Sequence, residues 1–352
     1  MGESCSHYSI FGARTWCFAL LVLTAALRSV PALSDDKPGE HPDKPHAVTL
    51  PPIVCLHTEY MPLKEENALK YRLMRELGRQ ALLIAARDEL GLSTRDETLG
   101  EVFPESVTQA KQDVYVAVRS RHDGDVRLQL WLASKPEELL PTPKLKKYDP
   151  RSILNQAEKL EVNSRGDLCD KLRSLGFGDK IAPPNEMNRP PHTIEDQLLE
   201  MIFVSQFAAV RAAHLAIAEQ GQSRAWLGVL ARGYANLSLL TEHHWKCDTE
   251  VFAARALLYA ERLVAANPDD SFACAHRAYV RTIVGLHAAA LEDVKRIKDI
   301  RSKHADQPAL PNWYELIEPY CTFKREALAA AGKQAPTLRQ PAQRLSFEQT
   351  RL

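Results

Sequence analysis

The sequence carries no surplus of either charge. Lys and Arg together number 45, as do Asp and Glu, across 352 residues. Nothing global therefore draws the chain onto nucleic acid, and no basic run stands out locally. Catalytic signatures are missing as well. There is no G-x-S-x-G, no G-x-x-x-x-G-K phosphate loop and no dinucleotide-type G-x-G-x-x-G. None of the 7 cysteines forms C-x-x-C, which leaves redox-motif and zinc-ribbon readings without support. What remains is an ordinary globular composition, 45% apolar, long enough for two or three domains.

A largely apolar run, WCFALLVLTAAL from Trp16 to Leu27, is too short to span a bilayer comfortably. Arg14 precedes it, and Val30 and Ala32 follow as small residues. This is the pattern of an export signal (residues 1–32) cleaved after Ala32, which predicts a periplasmic or extracellular protein with no membrane attachment after cleavage. Residues 33–50, rich in Pro, Asp and Lys, read as a flexible linker. Cleavage leaves Cys55, Cys169, Cys247, Cys274 and Cys321. Buried unpaired thiols are the favoured reading, and a bridge, if formed, falls first to Cys247 and Cys274.

Leu69, Leu73, Leu77, Ala81 and Ile84 recur at helical spacing, and Gly91 supplies a stop. Thr94 to Glu97 fits a capping box for a short helix. The period then changes. VYVAVRS (114–120) and VRLQLWLA (126–133) alternate around Asp123-Gly124, the pattern of a β-hairpin. The fold class so predicted is α+β, with a small N-terminal α+β domain over residues 51–135. Residues 136–192 read as a linker with two short helices, closed by the proline-rich 181–193 as the main domain boundary. From Thr193 the pattern is all-α: a long helix to Gly221, one capped by Ser223, one closed by Pro268, one from Ser271, and one from Asn312 interrupted at Pro319. Residues 332–352 read as a disordered tail.

The segment AHRAYVRTIVGLHAAALEDVKRI (275–297) resembles a tetratricopeptide repeat. Ala278, Gly285 and Ala290 match its small positions, where two helices approach closely. Pro268 matches the closing proline of a preceding unit, with Ala256 at its second-helix small position and Trp226, Ala231 and Tyr234 on its first helix. The likeness spans about residues 223–303 and departs from the family in three respects. No Pro closes the quoted unit, the nearest being Pro308, and a repeat of about 34 residues is not sustained. Ala231 and Ala256 are separated by extra residues, among them TEHHWKCD. The resemblance implies an all-α TPR-like domain over 193–331 that binds a protein or peptide along the inner faces of its first helices. Carried over, that groove contains Arg232, Asn236, Phe272, Tyr279 and Thr282. No reaction and no cofactor are implied.

Glu242, His243 and His244 are weak candidates for a metal, because adjacent histidines point about 100° apart on a helix and H-E-x-x-H is absent. A competing hypothesis is a hydrolase or metal-dependent enzyme with its site at the junction of the two domains, near His214, His243 and Glu242. Otherwise His214, His276 and His287 read as packing histidines.

Overall fold

A computed structural model describes residues 54–60, 65–92, 94–96, 114–120, 126–132, 150–178, 181–243, 248–304 and 306–350. The signal, the linker to residue 50, the hairpin turn, His244 and Cys247 lie outside them.

The central rod is α6 (Arg224–Thr241), buried at almost every position from Trp226 to Leu239. A helix apolar all round must be enclosed by others. Its neighbours are α5 (Phe203–Gln220), α7 (Asp248–Ala266) and α8 (Ser271–Ile283), with α9 (His287–Lys303) folded back on α8. Both α6 and α8 have capped starts, the first at the Ser223 that the sequence predicts. Ser223 Oγ accepts from the Trp226 amide at 3.3 Å, and Asp270 accepts from the Phe272 amide at 3.0 Å. Short connections between packed consecutive rods make them antiparallel pairs.

Ala231, Ala256, Ala278 and Ala290 are all at 0% exposure, so four of the proposed small contacts are interior. Gly285 is not one of them. It is exposed in the α8–α9 turn with φ +83°, and a Cβ there would touch nothing within 4 Å. Its role is conformational. The Leu286 amide reaches back to the Arg281 carbonyl at 2.7 Å, closing α8 in a turn that favours glycine.

The α+β fold class and its separate N-terminal domain are overturned. Helix α1 (Glu65–Leu90) packs along α7 and against α2 (Pro150–Asn163). Met74, Leu77, Ala81 and Ile84 enter one hydrophobic cluster with Leu230, Leu257 and Ala278. Among the described residues that cluster draws only on helices and their adjoining turns, and residues 51–352 form one compact unit. The strand segments are described by backbone alone, and they lie against α1. By backbone pairing they are β1 (Val54–Tyr60), β2 (Thr94–Asp96), β3 (Val114–Ser120) and β4 (Val126–Leu132), ordered β2-β1-β3-β4, with Val114 opposite Leu132 in the antiparallel β3–β4 pair. Thr94 to Asp96 is thus strand, not the start of a capped helix.

Residues 136–192 are not a linker either. Ala157 and Leu160 of α2 and Leu172 of α3 (Cys169–Ser174) are buried in the same core. A π-helical turn, Ser164–Leu168, joins α2 to α3. The proline-rich boundary is laced down by Asn188. Its amide donates to the Gly221 carbonyl at 2.8 Å, its Oδ1 accepts from the Trp226 indole at 2.8 Å, and its carbonyl accepts from Ser223 at 2.6 Å.

The single long helix expected from Thr193 is broken into α4 (His192–Leu199) and α5 at Met201, whose φ is +50°. After α9 come a 3-10 turn (Asn312–Leu316), then α10 (Ile317–Cys321) and α11 (Arg325–Gln334). The expected disordered tail is helical: α12 (Arg339–Glu348) buries Ala342 and Leu345. Cys169, Cys274 and Cys321 are buried and free, so Cys274 does not bridge to Cys247. Among the described residues no helix is long and apolar enough to cross a membrane.

Candidate functional site

The residues assigned to an inner groove do converge, but on a closed interior. Arg232 and Asn236 stand one turn apart on α6, facing Tyr279 on α8. Tyr279 Oη donates to Asn236 Oδ1 at 2.7 Å, and the Asn236 amide donates to Gln206 Oε1 at 2.9 Å and the Leu198 carbonyl at 3.2 Å. Arg232 donates to both oxygens of Glu195, on α4, at 2.9 and 3.0 Å. Its other side is covered by Trp313, whose ring centre is 4.6 Å from the guanidinium carbon. Thr282 is turned to the Ala278 carbonyl, and only Phe272 is partly exposed. The open groove implied by the resemblance is therefore absent. Helix α4 and the 3-10 turn fill it with the chain's own side chains.

His276 sits beside this interior with Nδ1 3.0 Å from the Phe272 carbonyl. Burial, aided by Arg232, pushes its pKa down to about 3, so the ring is neutral. Gly228 makes room for it, since a Cβ there would lie 2.6 Å from His276 Nε2.

The weak metal candidates gain a third group that spacing alone did not reveal. Glu242, His243 and Glu348 of α12 present ligand atoms within 4.8 Å of one another. Glu348 is already held by Arg344 at 2.9 Å. His214 is not part of this cluster. It pairs with Tyr234, which is about 12 Å along α6 from Glu242 at 1.5 Å per residue. The junction site near His214, His243 and Glu242 is thus two separate places.

One of those places is a buried polar network between α1, α5 and α7. Tyr259 Oη donates to Asp88 at 2.8 Å and accepts from Arg87. Arg262, 2% exposed in its side chain, donates to Glu161 at 3.0 Å and to Asp88 at 3.3 Å. Burial alone would raise the Asp88 pKa, but Arg87 and Arg262 outweigh it and hold the carboxyl below its usual range. His214, by contrast, is driven down to about 3 by burial and by Arg87. Tyr234 Oη accepts from Arg255 at 2.9 Å and lies 2.8 Å from His214 Nε2. Arginine has no acceptor, so of these two partners Nε2 is the one able to take the Tyr234 proton, in the tautomer that carries the ring's own proton on Nδ1.

Sequence reasoning missed a surface. On the outer side of α5, Phe203, Val204, Phe207 and Leu215 are 42%, 72%, 51% and 52% exposed, and Ile202 just before the helix is 53% exposed. Phe203 and Phe207 stack on each other at 6.3 Å in the open. The signal was present in FVSQFAAV, where large apolar residues occupy more of the helix circumference than one buried face requires. Placing the surplus outside needs knowledge of which face α6 covers.

No protein-family model matches the chain, and no characterised protein or solved structure matches it either.

Proposed function

We propose that the chain is an exported, degenerate tetratricopeptide-like module that scaffolds a partner protein or peptide along the outer face of α5, with no reaction of its own. One observation carries this reading: Phe203, Val204 and Phe207 stand together in solvent at the start of a well-anchored helix, with Ile202 just before them and Leu215 two turns on. Large aromatic side chains of that kind are the usual anchors of protein interfaces. The inner face cannot serve, because Trp313 and Glu195 occupy it. The tetratricopeptide likeness is supported by the consecutive packed pairs α6–α7 and α8–α9 with alanine at their contacts. Export is supported by the N-terminal pattern of Arg14, a short apolar run and Ala32.

Photo-crosslinking in the native host tests the reading. A crosslinker at Val204 is expected to trap one discrete partner, and one at Lys295, on the far helix α9, is expected to trap none. Adduct at neither position, or the same adducts at both, would overturn it. Phe207→Glu is expected to abolish the Val204 adduct without changing the fold.

A further inference from the structure

We propose that the pocket over the Asp88–Arg262 network binds a small oxyanion, a carboxylate or a phosphoryl group. The cavity holds about 380 Å³ and is lined by Arg87, Glu89, Arg165, His214 and Gln222, with an apolar wall from Ile217. That volume suits a metabolite-sized ligand.

Hydrogen-bond accounting among the described residues identifies the chemistry. Arg87 spends Nε on Asp88 and Nη2 on Tyr259, which leaves Nη1 without a partner. Arg165 faces Glu161 through Nε alone, at 3.5 Å, and its forked Nη1 and Nη2 end is unused. Gln222 Oε1 accepts from Arg262, so its Nε2–H is spare. His214, which lines the same cavity, adds one more donor at Nδ1 in the tautomer whose Nε2 accepts from Tyr234. Four side chains thus offer donors to one cavity. Each acid nearby already meets an arginine through at least one oxygen. Asp88 is held by Arg87, Arg262 and Tyr259, and Glu89 Oε1 lies 3.4 Å from Arg262. Glu89 retains one free oxygen, which a hydroxyl on the ligand would satisfy.

Three guanidiniums (Arg87, Arg165, Arg262) balance three carboxylates (Asp88, Glu89, Glu161) around this site. Attraction is therefore short-range and directional, the kind a planar guanidinium fork gives an oxyanion. The backbone is consistent with a built site, because Arg165 projects from the π-helical turn at Ser164–Leu168, a distortion concentrated at functional positions.

Calorimetric titration of the full chain with inorganic phosphate, and separately with succinate, tests this, with chloride as the control anion. Wild type is expected to bind at least one of the two, and the tighter of them names the group. Arg165→Gln is expected to weaken that binding about tenfold or more, the worth of a charged hydrogen bond. Gln222→Ala, which leaves every ion pair in place, is expected to weaken it less, and it decides the outcome if Arg165→Gln fails to fold. Binding of neither anion, or unchanged binding in the folded variants, would overturn the proposal. Phe207→Glu is expected to leave anion binding intact, so failure here and failure of the α5 docking surface are told apart.

Discussion

The guanidinium carbon of Arg232 lies 4.6 Å from the centre of the Trp313 ring, and this contact closes the inner face of α6 and α8. Trp313 is 2% exposed and also meets His276 and Tyr279 edge-on, at 4.9 and 5.2 Å. Trp313→Ala is expected to cost about 3–5 kcal/mol, the usual loss for emptying a buried aromatic site. Urea unfolding at constant pH measures it. A loss under about 0.5 kcal/mol would mean that the 3-10 turn does not hold the helices together.

Two arginines of α8 and two acids form a closed buried ring. Arg277 and Arg281 each bridge Glu261 of α7 and Asp293 of α9, at 2.7–3.0 Å. Removing one member leaves a desolvated charge without its partner. Arg281→Ala is therefore expected to destabilise by about 3–5 kcal/mol. Lys298→Ala, which breaks the exposed pair with Glu318, is expected to cost under about 1 kcal/mol. Parallel denaturation curves compare them, and equal losses would refute the ring as a structural staple.

Stability is expected to fall as the solution is acidified. His214 and His276 have folded pKa values near 3 against an ordinary 6.5, so the unfolded chain takes up protons that the folded one refuses. Their contribution is fully present above about pH 6.5 and is lost as pH falls toward 3, at about 1.4 kcal/mol per pH unit for each ring. Urea midpoints measured from pH 7 to 4 should trace that slope. His276→Asn should flatten it by about half, and an unchanged slope would show that the ring is not held neutral by the fold.

The rods of the second half were legible because periodicity, capping residues and prolines are local signals. Ser223 opens α6, Pro268 closes α7 and Ser271 begins α8 where the sequence puts them. The misplaced assignments all needed partners far along the chain. Helix α1 reads locally as a cover for the strands, and nothing near it in sequence reveals that it also runs along α7. The proline-rich 181–191 segment reads as a break because nothing local reveals that Asn188 reaches Gly221 and Trp226. The tail looked unstructured for a similar reason: Leu345 has few apolar companions nearby in sequence. Arg232, Asn236 and Tyr279 meet in a closed interior, and spacing cannot show that Trp313 folds back over them. Glu348 joins His243 across more than a hundred residues, at 3.8 Å.

α12 should behave as part of the core. Leu345 is 1% exposed, and Gln349 just beyond the helix donates to the Tyr320 carbonyl at 2.9 Å. Leu345→Ala is expected to lower stability by about 2–5 kcal/mol. Hydrogen exchange across residues 325–350 gives a second readout. Protection comparable to α11 supports docking, and exchange at the rate of an unfolded peptide would refute it.

Gly228 and Gly285 separate two reasons for a helical protein to keep glycine. At Gly228 the backbone is ordinary helix, but a Cβ would meet His276 Nε2 at 2.6 Å and Cε1 at 3.1 Å. The imidazole cannot retreat, because Trp313 is behind it and Phe272 holds Nδ1. Gly228→Ala is thus expected to cost about 1–3 kcal/mol through overpacking. At Gly285 the space is open and the penalty is conformational, about 1–2 kcal/mol for an L-residue in a left-handed turn. The two losses respond differently to a second change. Trimming the histidine in Gly228→Ala/His276→Ser should return part of the first loss, whereas His276→Ser added to Gly285→Ala should give a simple sum. Thermal melts of these four variants and of His276→Ser alone supply the comparison, and additivity in both pairs would show that α6 and α8 do not approach through Gly228.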